Sequence, residues 1–245
     1  MMPFSPKPLT PLPMRQCGLS RKHVIRLAGL DFVPDLSGAL LAPDFKALIV
    51  ADLHLEQGSS LARRGLHVPP YDTRTSLSQL EEVLRLAQPA RLILLGDSFH
   101  DGDSAAQIEP ADRRRIKAIT GEFETIWISG NHDPEPPEDL GGRGAQEVLL
   151  GPVTLRHEPK PLPPGAFEIA GHLHPGASVS QRGHSIRCKC FASDRQRLIM
   201  PAFGSYTGAL SLSSRAFAGL FNEDECLVWM LGRQGLHRFP RGRVT

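Results

Sequence analysis

The chain has 245 residues, 40% of them hydrophobic, enough to bury the core of one large α/β domain without disulfides or a structural metal. Lys and Arg number 28 against 26 Asp and Glu, so the net charge of +2 neither demands nor excludes a polyanionic partner. The four cysteines, Cys17, Cys188, Cys190 and Cys226, form no C-x-x-C pair, which points to a reducing compartment such as the cytoplasm and to Cys188 and Cys190 as buried thiols rather than ligands.

At the N-terminal end, five basic residues precede the first acid, Asp31, but five prolines interrupt the first 13 positions and no apolar run follows. This argues against a secretory signal. Residues 1–22 are expected to form a disordered Pro-rich extension, with Met14 as an alternative initiator and the domain covering 23–245. Apolar stretches elsewhere fall far short of the roughly 20 residues that span a bilayer, so no membrane partner is expected.

Lys46 to Ala51, Arg91 to Leu95, Thr125 to Ser129 and Phe167 to Ala170 are short runs rich in apolar residues and read as buried strands. Between the first two lies a helix, with Asp72 as N-cap, Leu77, Leu80, Leu84 and Ala87 on one face, and Pro89 as the stop. A second helix is predicted over Asp112 to Thr120. This βαβ rhythm places ligands beyond the carboxyl ends of parallel strands. The stretch Gly141-Gly142-Arg143-Gly144 reads as a mobile loop after the acidic, Pro-rich residues 134–139. Val153 to His157, His184 to Phe191, Arg197 to Ala202 and Cys226 to Leu231 read as strands of a second sheet packed on the first. Arg233, Arg238, Arg241 and Arg243 follow the last acid, Glu225, and read as a solubilising tail, the alternative being a nucleic-acid contact.

Five segments at the ends of these elements carry chemistry: Asp52-Leu53-His54, Gly96-Asp97, Gly130-Asn131-His132-Asp133, the lone His157, and Gly171-His172-Leu173-His174. Asp52 and His54 can turn toward one ion, and a carboxylate such as Asp97 has two oxygens with which to bridge two. Two ions about 4 Å apart can clamp the attacking and leaving oxygens of an in-line displacement, with a bridging hydroxide as nucleophile. Imidazole and carboxylate donors without thiolates suit Mn, Fe, Zn or Co. The other histidines, His23, His67, His184 and His237, are given no role.

The order and types of these segments resemble the calcineurin-like metallophosphoesterase superfamily from about Asp52 to Gly208. The resemblance implies a four-layer αββα sandwich in a single domain and two divalent metal ions, with Mn favoured. It further implies that the first ion takes Asp52, His54, Asp97 and His174, and the second Asp97, Asn131, His157 and His172. His132 then faces the scissile phosphate as the catalytic histidine. Gly96-Asp97-Ser98-Phe99-His100 resembles the G-D-x-F-H of double-strand-break repair nucleases in that superfamily, which makes His100 a second acid or phosphate ligand, the alternative being a packed histidine under the site.

Leu53 to Gly65, Pro69 to Arg74, Gly96 to Asp101 and Pro201 to Leu210 together resemble the bacterial ligase-associated metallophosphoesterases, DNA-damage-response endonucleases or phosphodiesterases. That implies DNA as partner, with DNA ligase or helicase-type repair proteins as associates, and makes Arg63, Arg64 and Arg74 candidates for contacting phosphate. The runner-up is a small-molecule phosphohydrolase acting on a nucleotide or a nucleotide-lipid pyrophosphate. An inactive scaffold on the same fold is the third reading, disfavoured because every ligand position is filled.

Overall fold

The computed structural model of the protein describes residues 8–10, 23–63, 65–66, 68–69, 71–102, 104–135, 138–181 and 183–245. In chain order the first strands are β1 (Pro8–Leu9), β2 (Ile25–Leu27), β3 (Leu30–Pro34), β4 (Leu40–Ala42), β5 (Ala47–Val50), β6 (Arg91–Leu95), β7 (Glu124–Ile128) and β8 (Arg143–Ala145). They are followed by β9 (Val148–Leu150), β10 (Val153–Arg156), β11 (Phe167–Ala170), β12 (Pro175–Gln181), β13 (His184–Ser193), β14 (Arg197–Ile199), β15 (Leu210–Ser211), β16 (Leu227–Gly232) and β17 (Gly235–Pro240). The helices are α1 (Gln57–Arg63), α2 (Asp72–Ala87), α3 (Ser104–Gln107) and α4 (Pro110–Glu122), none long and apolar enough to cross a membrane.

Alternation along β5 sets the layers. Leu48 and Val50 turn toward Leu77, Leu80 and Leu84 of α2 and Ile116 and Ile119 of α4, while Ala47 and Ile49 turn toward Val153, Leu155, Ile169 and Leu198 of the second sheet. Both faces are buried, so β5 and β6 read as continuous apolar runs. The first sheet has the order β2-β3-β4-β5-β6-β7-β8, with β5 to β8 parallel. The second runs β1-β9-β10-β11-β14-β13-β12-β15, with β16 and β17 branching from β13. On its outer face Ala170, Cys190, Ala192, Ile199 and Val228 are covered by Leu212, Phe217, Phe221 and Val244 from turns and the C-terminal end. This fourth layer is thus loops and a short 3-10 turn at Arg215–Phe217 rather than long helices.

Several local expectations differ from what is seen. Asp72 is the first residue of α2 rather than its N-cap; Tyr71 holds that place, because the Asp72 carboxylate is turned away to accept the Gly58 N–H at 3.0 Å. Arg143–Ala145 is not a mobile loop but a parallel strand on β7, secured where Trp127 Nε1 donates to Gly141 O at 2.8 Å. The C-terminal arginines do not form a solubilising tail. Arg238 lies on β17, Arg241 donates to the carbonyls of Leu212 and Val244, and Thr245 exchanges backbone hydrogen bonds with Ser178. Within the Pro-rich extension, Pro8–Leu9 pairs in parallel with Leu149–Leu150 of β9, and Arg91 donates to Thr10 O at 3.2 Å. Cys190 is fully buried and Cys188 half-buried, and burial raises the pKa of both thiols.

Candidate metal centre

The carboxyl ends of β5, β6 and β7 from one sheet meet those of β10 and β11 from the other, and each hands over to one of the five motif segments. The chain must turn sharply there. Asp52, His54, Asp97, His172 and His174 all have positive φ, between 44° and 67°, and are five of the nine non-glycine residues in that state among those described. Such backbone costs about 1–3 kcal/mol per residue and persists where neighbours over-determine it. They do: His54 N donates to Asp97 O at 2.9 Å, Leu55 N to Ser98 O at 2.9 Å, and Gly204 N to Asp52 O at 3.1 Å. Gly130 allows the closest approach, since a Cβ there would fall 2.2 Å from both the Asp97 amide nitrogen and its Oδ1.

Two clusters of donor atoms result. In the first, His54 Nε2 faces His174 Nε2 at 3.3 Å, and His174 Nε2 lies 3.4 Å from Asp52 Oδ1. In the second, His157 Nε2 is 3.2 Å from Asp97 Oδ2, 3.2 Å from His172 Nδ1 and 3.0 Å from Asn131 Oδ1. Asp97 Oδ2 is also 3.8 Å from His54 Nε2, so this carboxylate stands between the clusters. His157 Nδ1 sits 3.1 Å from Leu95 O, an acceptor only, so Nδ1 carries a proton there and Nε2 is the atom aimed into the cluster.

Lone pairs outnumber the protons available to join them. Atoms held at about 2.0–2.2 Å from one ion lie about 3–3.5 Å from each other, the spacing seen here, and the imidazole, carboxylate and amide set fits divalent cations. Burial pulls the His54 pKa down to about 4 against the charge of Asp52. Burial also disfavours charge on His157, but the hydrogen bond to Asp97 and the charges of Asp52 and Asp97 prevail and raise it to about 9. Burial likewise opposes ionisation of Asp97, yet contact with His157 brings its pKa down to about 2. Without metal this pair is an imidazolium and a carboxylate holding one proton where a cation fits.

His132 is exposed beside this centre. Its N–H donates to Asp97 Oδ1 at 2.9 Å, and its Nδ1 lies 2.7 Å from the His100 carbonyl, which leaves Nε2 toward the clusters, 3.9 Å from Asp97 Oδ2. The His100 ring stacks on that of His132, with centroids 5.6 Å apart, and also lies 5.6 Å from the His54 ring. Arg63 is drawn elsewhere: it pairs with Asp101 at 3.0 Å and binds Gln107. Arg74 is exposed on the first turn of α2, 4.0 Å from Glu109, and Arg64 lies outside the described residues.

Residues 45–182, more than half of the chain, match the sequence model of the calcineurin-like phosphoesterases. The chain belongs to the calcineurin-like phosphoesterase family. It is therefore a metal-dependent hydrolase of phosphoric esters. The crystal structure of the Pseudomonas putida nuclease MPE superposes with a TM-score of 0.70 at 26% identity, covering 89% of this chain and 99% of that one. The phosphoesterase Yfce from E. coli is more distant, with a TM-score of 0.42 and 16% identity over 79% of this chain and 98% of that one. No curated protein matches the sequence.

Two residues to which the motif reading gave no role support this calcineurin-like centre. Asp133 accepts the N–H groups of Ser98 and Phe99 through Oδ2 at 2.7 and 3.1 Å, tying the β7 loop to the β6 loop; burial raises its pKa to about 7. Lys189 on β13 donates to Ala202 O, Gly204 O and Thr207 Oγ1 at 2.7–2.9 Å, and so holds the loop whose Gly204 grips Asp52. Lys189→Met removes all three of these hydrogen bonds, although Gly204 O still accepts from Thr207 Oγ1 at 2.6 Å. It is expected to cost about 2–3 kcal/mol, as for other hydrogen bonds to charged groups, and to lower metal content. Thermal denaturation with elemental analysis checks this; a melting temperature and metal content equal to the parent's would refute the role.

Proposed function

We propose that this phosphoesterase is a phosphodiesterase or endonuclease acting on DNA in a repair setting, with manganese as its working metal. The likeness to a nuclease over nearly the whole of both chains carries the nucleic-acid part of this reading. Asp52, His54, Asp97 and His174 would hold one ion, and Asp97, Asn131, His157 and His172 the other. When bound, the ions supply neutralising charge at the phosphate and water that loses its proton near neutral pH.

The chain's own groups do the rest. His132, with its Nδ1–H held by the His100 carbonyl, keeps Nε2 available to deliver a proton to the leaving oxygen. His100 backs that ring and fixes its plane. Of the two candidate arginines among the described residues, Arg74 is the better phosphate contact, because Glu109 is 4.0 Å away from it whereas Arg63 would have to give up Asp101 at 3.0 Å.

Metal must displace the proton that His157 otherwise holds, so the sign of the pH dependence follows. Below about pH 9 the apparent metal affinity is expected to rise about tenfold per pH unit and then level off, whereas His54, already neutral above about pH 4, adds nothing in that range. Calorimetric manganese titrations at pH 6, 7 and 8 in buffers of different ionisation heat measure both affinity and proton release. An affinity flat with pH would show that His157 is not a ligand.

The substrate is tested by incubating manganese-loaded protein with single-stranded and duplex DNA at several salt concentrations, beside a nucleotide diphosphate ester. Cleavage of DNA that weakens steeply with salt is expected, since contacts to three flanking phosphates lose about tenfold or more in affinity between 50 and 200 mM. Intact DNA at low salt with rapid turnover of the diphosphate ester would make the chain a small-molecule enzyme.

A further inference from the structure

Beside Asn131 and His157, on the side of the second cluster, a cavity of about 260 Å³ lies between the loop after β7, the β8–β9 turn and the loop after β10. Its walls include Gln146, Glu147, Arg156 and Lys160, none of them among the candidate ligands, so it extends the centre in one direction. It is smaller than the roughly 300–1,000 Å³ of sites for drug-sized ligands, which suits one nucleoside unit and no more.

The charges in the walls are already matched. Glu147 takes Lys160 Nζ at 2.7 Å and Arg156 Nη2 at 3.3 Å, and Arg156 also pairs with the buried Glu168 at 3.1 Å. Glu158 adds a further acid to the lining. A phosphate entering here would meet carboxylates and cations that are engaged by them, a poor anion site. What the walls do present is donors and acceptors side by side: the amide of Gln146, whose Nε2 reaches Ser129 Oγ at 3.2 Å, the Glu147 carboxylate and the Lys160 ammonium. A nucleobase edge carries the same mixture.

We infer that this cavity is a base-binding subsite for the single nucleotide that flanks the scissile phosphate on the Asn131 and His157 side. This rests on the phosphodiesterase reading above. Through Gln146 and Glu147 the subsite orients one nucleotide against the metal pair, and thereby gives the enzyme a preference for nucleoside over plain sugar esters.

The test is equilibrium binding to the manganese-loaded full chain by calorimetry, with deoxynucleoside 5′- and 3′-monophosphates against deoxyribose 5-phosphate. The parent is expected to bind at least one nucleotide tenfold or more tighter than the sugar phosphate. Gln146→Ala, and independently Glu147→Gln, should bring that ratio below threefold. The ratio counts for a variant that keeps the parent's manganese content and its affinity for deoxyribose 5-phosphate, which separates loss of the subsite from loss of folding or metal, and the exposed Gln146 side chain keeps at least one variant foldable. A ratio near one in the parent, or a ratio untouched by both substitutions, overturns the subsite while leaving the metal centre standing. If no phosphate compound binds and DNA is not cut, the phosphodiesterase reading falls with it.

Discussion

Asp97→Asn is expected to reduce hydrolysis of bis(p-nitrophenyl) phosphate by about a thousandfold or more and to lower metal content at both halves of the centre. Asparagine keeps the volume and the oxygen that accepts the His132 N–H, so the fold should survive. What is lost is the charge that stands 3.2 Å from His157 and 3.8 Å from His54, between the clusters. Metal ions stabilise transition-state charge by several kcal/mol, and each 1.36 kcal/mol is tenfold in rate. Elemental analysis after gel filtration, run beside the rate, separates metal loss from misfolding. Two retained ions with activity within tenfold of the parent would show that Asp97 is not shared.

His132→Ala should act selectively. General acid help is worth about 10²–10⁴-fold where the leaving oxygen is a poor one, so DNA cleavage should fall by that amount. An activated p-nitrophenol ester leaves with little proton assistance and should lose less than tenfold. His100→Ala provides the internal comparison: the hydrogen bond to His132 Nδ1 comes from the His100 backbone carbonyl and persists, so only the ring support is removed and a smaller effect, about tenfold, is expected. Equal losses on both substrates for His132→Ala, or metal loss in either variant, would remove the histidines from these roles.

The motifs were legible because each ends a strand buried on both faces. Apolar runs such as Leu92 to Leu95, broken by Gly96 and Asp97, can be read without knowing their neighbours. The edges were not. β2 and β3 have their apolar residues interrupted by Arg26 and Asp31, and β8 carries a glycine that disfavours strand but is held by pairing with β7. The first half of β13, from His184 to Arg187, lies within the strand read from the sequence although it is exposed. Charged side chains were the hardest to place. Arg63 and Asp101 are 38 positions apart, and nothing local marks them as a pair or marks Lys189 as the clamp of the loop at Ala202 to Thr207. Arg241, legible only as a basic residue near the end, is packed against the Leu212 carbonyl by the return of the chain along β17.

If the two clusters form one centre for a pair of ions, Asp97 between them must couple those ions. Titration of the metal-free chain with manganese, followed by electron paramagnetic resonance and elemental analysis, measures this without reference to any substrate. Two ions per chain with a spin-coupled signal, collapsing to uncoupled or absent manganese in Asp97→Asn, is the expected result. One ion per chain, or two that remain uncoupled in the parent protein, would contradict it.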